Sequence, residues 1–137
     1  MLLVAQLLTA ALFGSMLFFS CVMAPLVFTQ LEEATAGRFI RAVFPWYYAL
    51  LGGLSFLAAV MAFFGRPLEA GILLGISSLA LFARQVLMPM INELRDRALG
   101  GDADADSQFN QMHRLSVIIN LVQLIAVTFV LVLLLRS

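Results

Sequence analysis

The stretch LSVIINLVQLIAVTFVLVLLL, residues 115–135, decides the fold. It holds no charged side chain, while His113-Arg114 and Arg136 stand immediately outside it. As a helix rising ~1.5 Å per residue it crosses ~30 Å, the hydrocarbon thickness of a bilayer. Lipid offers no water to satisfy open backbone groups, so a helix is the form such a run takes there. The run also lacks the period-two alternation of a membrane barrel strand.

Working outward, three more runs share this character. Met1 to Leu31 and Ala42 to Gly65 carry no charge, and Ala70 to Ile91 is broken only by Arg84. The expected architecture is all-α: a single integral-membrane four-helix bundle over residues 1–137. Its spans are expected at about 2–31, 42–64, 68–91 and 108–135, with a polar link at about 92–107. Pro25, Pro45 and Pro89 lie inside these runs, so kinks or helix ends are expected there. Glu32 to Ala36 reads as a short polar break. Gly65-Arg66-Pro67 with Glu69 reads as a stop and a restart. Asp106 or Ser107 is the expected cap of span four.

Composition agrees and excludes much else. The chain is 63% hydrophobic and only 12% charged, too few charges to cover a small soluble globule. Zero net charge gives no case for nucleic acid. All eight basic residues are Arg, which excludes a phosphate-loop Lys, a Schiff base and a Lys general base. One Cys and one His make neither an internal disulfide nor a dedicated zinc site. Asp102, Asp104 and Asp106 imitate a calcium loop, but Ser107 and His113 stand where Gly and Glu belong. The first run lacks a basic start and reads as a retained span. Phe18-Phe19-Ser20-Cys21 is only a partial lipoprotein box. Arg38, Arg41, Arg95, Arg97 and Arg114 flank one side and Arg66 and Arg136 the other, which predicts both termini outside.

Polar residues inside spans mark the candidate site. His113, Ser116, Asn120 and Gln123 recur at three, four and three residues, one stripe of span four. Gly71, Gly75, Ser78, Phe82, Gln85, Pro89 and Asn92 form a comparable stripe on span three. At ~1.5 Å per residue Arg84 lies roughly 21 Å beyond Ala70, in the half nearer His113. The expected site is a polar pocket open to the cytoplasm, lined by Arg84, Gln85, Asn92, His113, Arg114, Ser116, Asn120 and Gln123. Arg84 snorkelling to headgroups and the stripe acting as interhelical glue are the alternatives. Trp46, Tyr47 and Tyr48 read as an aromatic belt. His113, Met112, Met88, Met90, Met23 and Cys21 are candidate soft-metal ligands. Ala10, Gly14, Cys21 and the Gly71/Gly75 pair are candidate helix contacts, the latter for a dimer or larger homo-oligomer.

Together, Phe18-Phe19, Ala24-Pro25-Leu26-Val27-Phe28, Phe44-Pro45-Trp46-Tyr47-Tyr48, Met88-Pro89-Met90 and His113-Arg114-x-Ser116-x-x-x-Asn120 resemble the transmembrane protein 205-like family. That resemblance covers nearly the whole chain. It implies a four-span bundle in the bacterial inner membrane, an unsettled biochemical role and a link to metal or drug resistance. Its motif positions fall on Pro25, Pro45, Pro89, His113, Arg114, Ser116 and Asn120. Where members commonly carry Arg after the span-three proline, this chain has Met90. The layout is more distantly similar to copper-resistance D-type proteins and to the haem-containing protoporphyrinogen oxidase of bacteria. The sequence-level expectation is a non-enzymatic bundle that binds or moves a small solute or soft-metal species, in contact with lipid and without a resident cofactor. The alternatives are a redox protein holding haem through His113, a copper site, and a structural or assembly subunit of a membrane complex.

Overall fold

The computed structural model describes residues 1–137. It is wholly helical, with four helices long and apolar enough to cross a membrane. Span one is Leu2–Gln30, span two Glu33–Ala62, span three Pro67–Leu99 and span four Ala103–Leu135. The helices run up and down in chain order. Each packs on its sequence neighbours, and span one closes the ring against span four. The diagonal pairs make no close backbone approach. Both termini and the link between spans two and three lie at one end, called here the terminal end. The other two links form the loop end.

The helices outrun the apolar stretches that announced them. Thirty-three residues in each of spans three and four give ~50 Å, well beyond ~30 Å of hydrocarbon. The link expected at about 92–107 is helical to Leu99 and again from Ala103. Only Gly100, Gly101 and Asp102 remain, and Gly101 takes φ +98°, which glycine adopts without a Cβ clash. Asp102 replaces Asp106 and Ser107 as the cap of span four, its Oδ1 accepting the Ala105 N–H at 3.1 Å. Asp104 and Asp106 then occupy the first turn, where the helix dipole favours them. The Glu32–Ala36 break shrinks to Leu31 and Glu32, both extended, and Glu33 begins span two.

No proline ends its helix. Pro25 and Pro89 each follow a π-helical turn, Phe19–Met23 and Ala83–Leu87. A proline ring clashes with the carbonyl four residues back and offers no N–H to it. Here the residue before the proline donates one position further back, Ala24 to Phe19 and Met88 to Ala83. The helix widens by one residue and continues. Pro45 is passed without such a turn.

Leu12, Met16, Leu51, Leu73, Val127, Val130 and Leu134 are fully enclosed. Large apolar side chains also cover the outside, among them Phe28, Trp46, Phe56 and Ile125. Water would make that surface costly, whereas lipid makes it neutral. The outside of the bundle therefore contacts lipid.

Candidate functional site

The irregular turns place a polar layer across the middle of the bundle. Ser20 lies in the π turn of span one, and its Oγ accepts a hydrogen bond from Asn120 Nδ2 of span four at 3.0 Å. Asn120 Oδ1 accepts the Tyr47 hydroxyl of span two at 2.8 Å. Tyr47 thus reaches across a diagonal that the backbones do not close. Arg84 lies in the π turn of span three, and its Nε donates to the Pro45 carbonyl at 3.0 Å. All four spans contribute to this level. Phe19, Phe44, Tyr47 and Tyr48 pack around it, with Phe19 stacked on Tyr47 at 4.1 Å between centroids.

Arg84 is half-buried and carries no carboxylate partner. Arg41, Arg66, Arg95 and Arg97 each have one. One turn from Asn120, fully buried Gln123 donates from Nε2 to the Ile76 carbonyl at 3.1 Å. Its Oε1 has no partner. Ser116 is buried and bonded back to the His113 carbonyl.

The structure divides the residues expected at the site. Ser116 and Gln123 are buried, Asn120 is half-buried and bonded to Tyr47 and Ser20, and Arg84 and Asn92 are half-buried. Gln85, His113 and Arg114 are exposed. The span-three stripe is turned outward: Gly71, Gly75, Ser78, Phe82, Gln85 and Pro89 are exposed. The inner face is the neighbouring row of Ala70, Leu73, Ile76, Ala80, Ala83 and Leu87. Ala10, Gly14 and Cys21 of span one also point out, and larger Leu12, Met16 and Phe19 take the contact instead. Of the aromatic triplet only Trp46 faces outward, 79% exposed, while Tyr47 and Tyr48 are interior. The metal candidates do not share one face. Cys21, Met90 and His113 are exposed, Met23 and Met112 half-buried, and Met88 buried. No group of three His, Cys, Asp or Glu converges. His113 stacks on Phe109 at 5.9 Å, and the Arg95 guanidinium covers that ring at 5.3 Å.

Two grooves mark the outer surface. One, of about 490 Å³, lies between spans one and four and is lined by Phe13, Leu17, Leu124, Ile125, Phe129 and Val132 with Thr128. Its single hydroxyl is already bonded to the Leu124 carbonyl. The other, of about 280 Å³, lies between spans one and two and includes Phe19, Trp46 and Tyr47. It alone of the two touches the polar layer.

A family model described as a domain of unknown function (DUF4149) matches residues 7–99, more than half of the chain. The chain belongs to that family. It matches no curated protein and no solved structure. The DUF4149 match takes in Ser20, Pro45, Tyr47 and Arg84 and stops before span four. Asn120, Gln123 and His113 lie outside it.

This DUF4149 member also joins spans three and two by a hydrogen bond from Ser77 to the Gly52 carbonyl at 2.9 Å and has further polar contacts at the bundle ends. At the terminal end Glu69 is buried, and its Oε1 accepts from Arg66 Nε at 2.7 Å. Arg66 also donates to the Leu133 carbonyl at 2.8 Å, and Gln6 to the Leu134 carbonyl at 2.7 Å. These side chains satisfy helix-end carbonyls that have no partner within span four. At the loop end Arg41 holds Asp96 with two hydrogen bonds, of 2.8 and 3.1 Å. The Ala105 N–H, with help from Arg97, holds the Asp102 carboxyl below its ordinary range. Sequence reading missed Ser20, Tyr47 and the Arg66–Glu69 pair as polar contacts. The available signal for Tyr47 was helical phase, since three consecutive residues cannot share one face.

Proposed function

We propose that this membrane domain is a non-enzymatic module that binds a small anionic solute at the polar layer of Arg84, Tyr47, Asn120 and Ser20. Arg84 carries the reading. A cation within a span costs ~2.5–3.5 kcal/mol even by lenient insertion scales. The protein offers it one backbone carbonyl and no carboxylate. A bound anion supplies the missing counter-charge. The surrounding hydroxyl and amide groups supply hydrogen bonds in a site of low dielectric. Transport follows if the layer can be reached from both faces. The π turns beside Pro25 and Pro89 are the places where the helices can bend.

In the same reading the protein sits in a bacterial inner membrane with both termini outside. The Arg-rich loop end then faces the cytoplasm, as the five-to-two distribution of Arg favours. The outward Gly71/Gly75 face serves contact between copies. Soft-metal cargo, the second branch of the transmembrane protein 205-like resemblance, has less support, because its thiol, thioether and imidazole donors point in several directions.

The test is a thermal-stability titration of protein in nanodiscs with phosphate, acetate and benzoate. At least one anion should stabilise saturably. Arg84→Gln should abolish the effect and Asn120→Ala should weaken it. Equal stabilisation of Arg84→Gln and the unmodified protein would overturn the proposal.

A further inference from the structure

We infer that Tyr48 is a further ligand-binding residue of the polar layer, and that the solute is a small carboxylate with no hydrogen-bond donor of its own. This rests on the polar layer being a binding site. It adds one residue and the substrate class.

Tyr48 carries the inference. It is only 3% exposed, yet its hydroxyl makes no hydrogen bond within the protein. Its neighbour Tyr47 is buried to a similar degree and donates its hydroxyl to Asn120. A buried hydroxyl without a partner is costly, and folded interiors rarely keep one. Helix geometry fixes where it lies. Helical side chains lean toward the N-terminus of their helix. The Tyr48 ring accordingly stacks on Phe44, one turn back, at 5.7 Å between centroids. Pro45 belongs to that same turn, and its carbonyl is the one that Arg84 Nε holds at 3.0 Å. The Tyr47 ring lies 5.4 Å from that of Tyr48. Tyr48 thus stands at the level of Tyr47 and Arg84, where span two packs on the π turn of span three.

The unused groups at this level define what they receive. Arg84 is anchored through Nε, and both of its Nη groups are without a partner in the protein. Asn120 is engaged at both ends, Oδ1 by Tyr47 and Nδ2 by Ser20. What remains is the Arg84 fork and the Tyr48 O–H, and both donate. One spare acceptor, Gln123 Oε1, is fully enclosed a turn further along span four. The matching ligand is therefore negative and only accepts hydrogen bonds. Paired Nη donors fit the two oxygens of a carboxylate. Arg41 shows that arrangement in this chain, Nη1 on Oδ1 and Nη2 on Oδ2 of Asp96 at 2.8 and 3.1 Å. A halide has no second oxygen for the fork. An amino acid brings an ammonium group that finds no free acceptor.

The test titrates acetate into protein in nanodiscs and follows thermal stability, with glycine and sodium chloride at the same concentrations as comparisons. Acetate should stabilise saturably, and glycine and chloride should not. Tyr48→Phe keeps the ring and its stack on Phe44. Its melting temperature without acetate should equal or exceed that of the unmodified protein. Its half-saturating acetate concentration should rise about ten-fold, the loss of one hydrogen bond to a charged group. An unchanged half-saturation point, or a lower melting temperature without acetate, overturns the role of Tyr48. Equal stabilisation by glycine or chloride overturns the substrate class. In each of these cases the polar-layer site stands if Arg84→Gln abolishes the effect of the anion. No shift with acetate overturns the inference as well, and the site then stands only if phosphate or benzoate acts through Arg84. If stabilisation by acetate survives Arg84→Gln, both readings fall.

Discussion

Replacing Tyr47 by Phe and Asn120 by Ala, singly and together, tests whether these residues tie the diagonal of the bundle. Tyr47→Phe keeps the ring and its 4.1 Å stack on Phe19. It removes only the hydroxyl whose 2.8 Å bond joins spans two and four. Asn120→Ala removes that bond and the 3.0 Å bond to Ser20. It also takes from the Tyr47 hydroxyl its 2.8 Å acceptor and leaves only the neighbouring Ser20 hydroxyl, in an interior where the residue is 6% exposed. One lost hydrogen bond costs ~0.5–1.5 kcal/mol, and a stranded buried group ~1–3 kcal/mol. Tyr47→Phe should therefore lose about 1 kcal/mol and Asn120→Ala about 2–3 kcal/mol.

The interaction energy of the pair is the informative quantity. Interhelical hydrogen bonds in membranes average ~0.6 kcal/mol in double-mutant cycles and reach ~1.7 kcal/mol, because disrupted partners usually find substitutes. Substitutes are scarce here. The backbones of spans two and four do not approach each other, so no other span-four group steps in for Asn120. A coupling of about 1 kcal/mol is expected, above the membrane average. The assay is reversible unfolding in mixed micelles with increasing dodecyl sulfate, read by Trp46 fluorescence. Additivity within ~0.3 kcal/mol, the behaviour of independent sites, would refute the claim that Tyr47 and Asn120 act as a unit.

Gln123→Leu should leave stability unchanged or raise it by up to ~1 kcal/mol, because it removes an unpartnered buried oxygen along with one modest hydrogen bond; a loss above ~2 kcal/mol in the same unfolding assay would show that Oε1 has a partner. Arg66→Ala strands Glu69 and should cost about 3 kcal/mol, the low end for a broken buried pair because Arg66 is partly open. The double change Arg66→Leu with Glu69→Leu should recover most of that, and equal losses for both would argue against the pair. Asp102→Ala should lower the melting temperature and Asp102→Asn should restore most of it, since Asn caps the helix but cannot pair with Arg97. The Asp102 carboxyl is held below its ordinary range in the fold, so its contribution is present above the unfolded pKa and disappears as pH falls through the folded one. A melting temperature of the unmodified protein that stays level or rises relative to Asp102→Asn as pH falls through that acid window would contradict this.

How much of this was legible depends on what lipid can and cannot satisfy. The stripe on span four was legible because hydrocarbon leaves amides unpaired, and Ser116, Asn120 and Gln123 do turn inward. Span three hid its phase. Gly71, Gly75 and Ser78 are spaced four and three, and Ala70, Leu73, Ile76 and Ala80 are spaced three, three and four, one or two positions away. In water the outward row would be polar and the choice would be plain. In lipid both faces tolerate apolar or small side chains, so only packing against spans two and four settles which row goes inside. Residue type misled in the same way at Tyr47 and Tyr48. A membrane belt and an aromatic core use the same residues, and only the partners Phe19 and Phe44 distinguish them. The π turns were invisible to periodicity, although each sits ahead of a proline that demands some accommodation.

Whether the polar layer is only glue can be decided by magnitudes. It contains three interhelical hydrogen bonds, from Tyr47 to Asn120, Asn120 to Ser20 and Arg84 to the Pro45 carbonyl. At ~0.6 kcal/mol each they return roughly 2 kcal/mol. Placing Arg84 in a span costs ~2.5–3.5 kcal/mol, so that residue alone outweighs what the layer returns. A Leu at position 84 would pack against the same apolar neighbours without the charge. Arg84→Leu should therefore raise the stability of the empty protein by about 2–3 kcal/mol, net of the ~0.6 kcal/mol of its single bond to Pro45. The same change should eliminate stabilisation by anions, because the counter-charge is gone. A protein that is sturdier when empty and indifferent to ligand is the signature of a residue present for binding. If Arg84→Leu instead destabilises the empty bundle by more than ~2 kcal/mol, Arg84 is structural glue and the anion-binding reading loses its support.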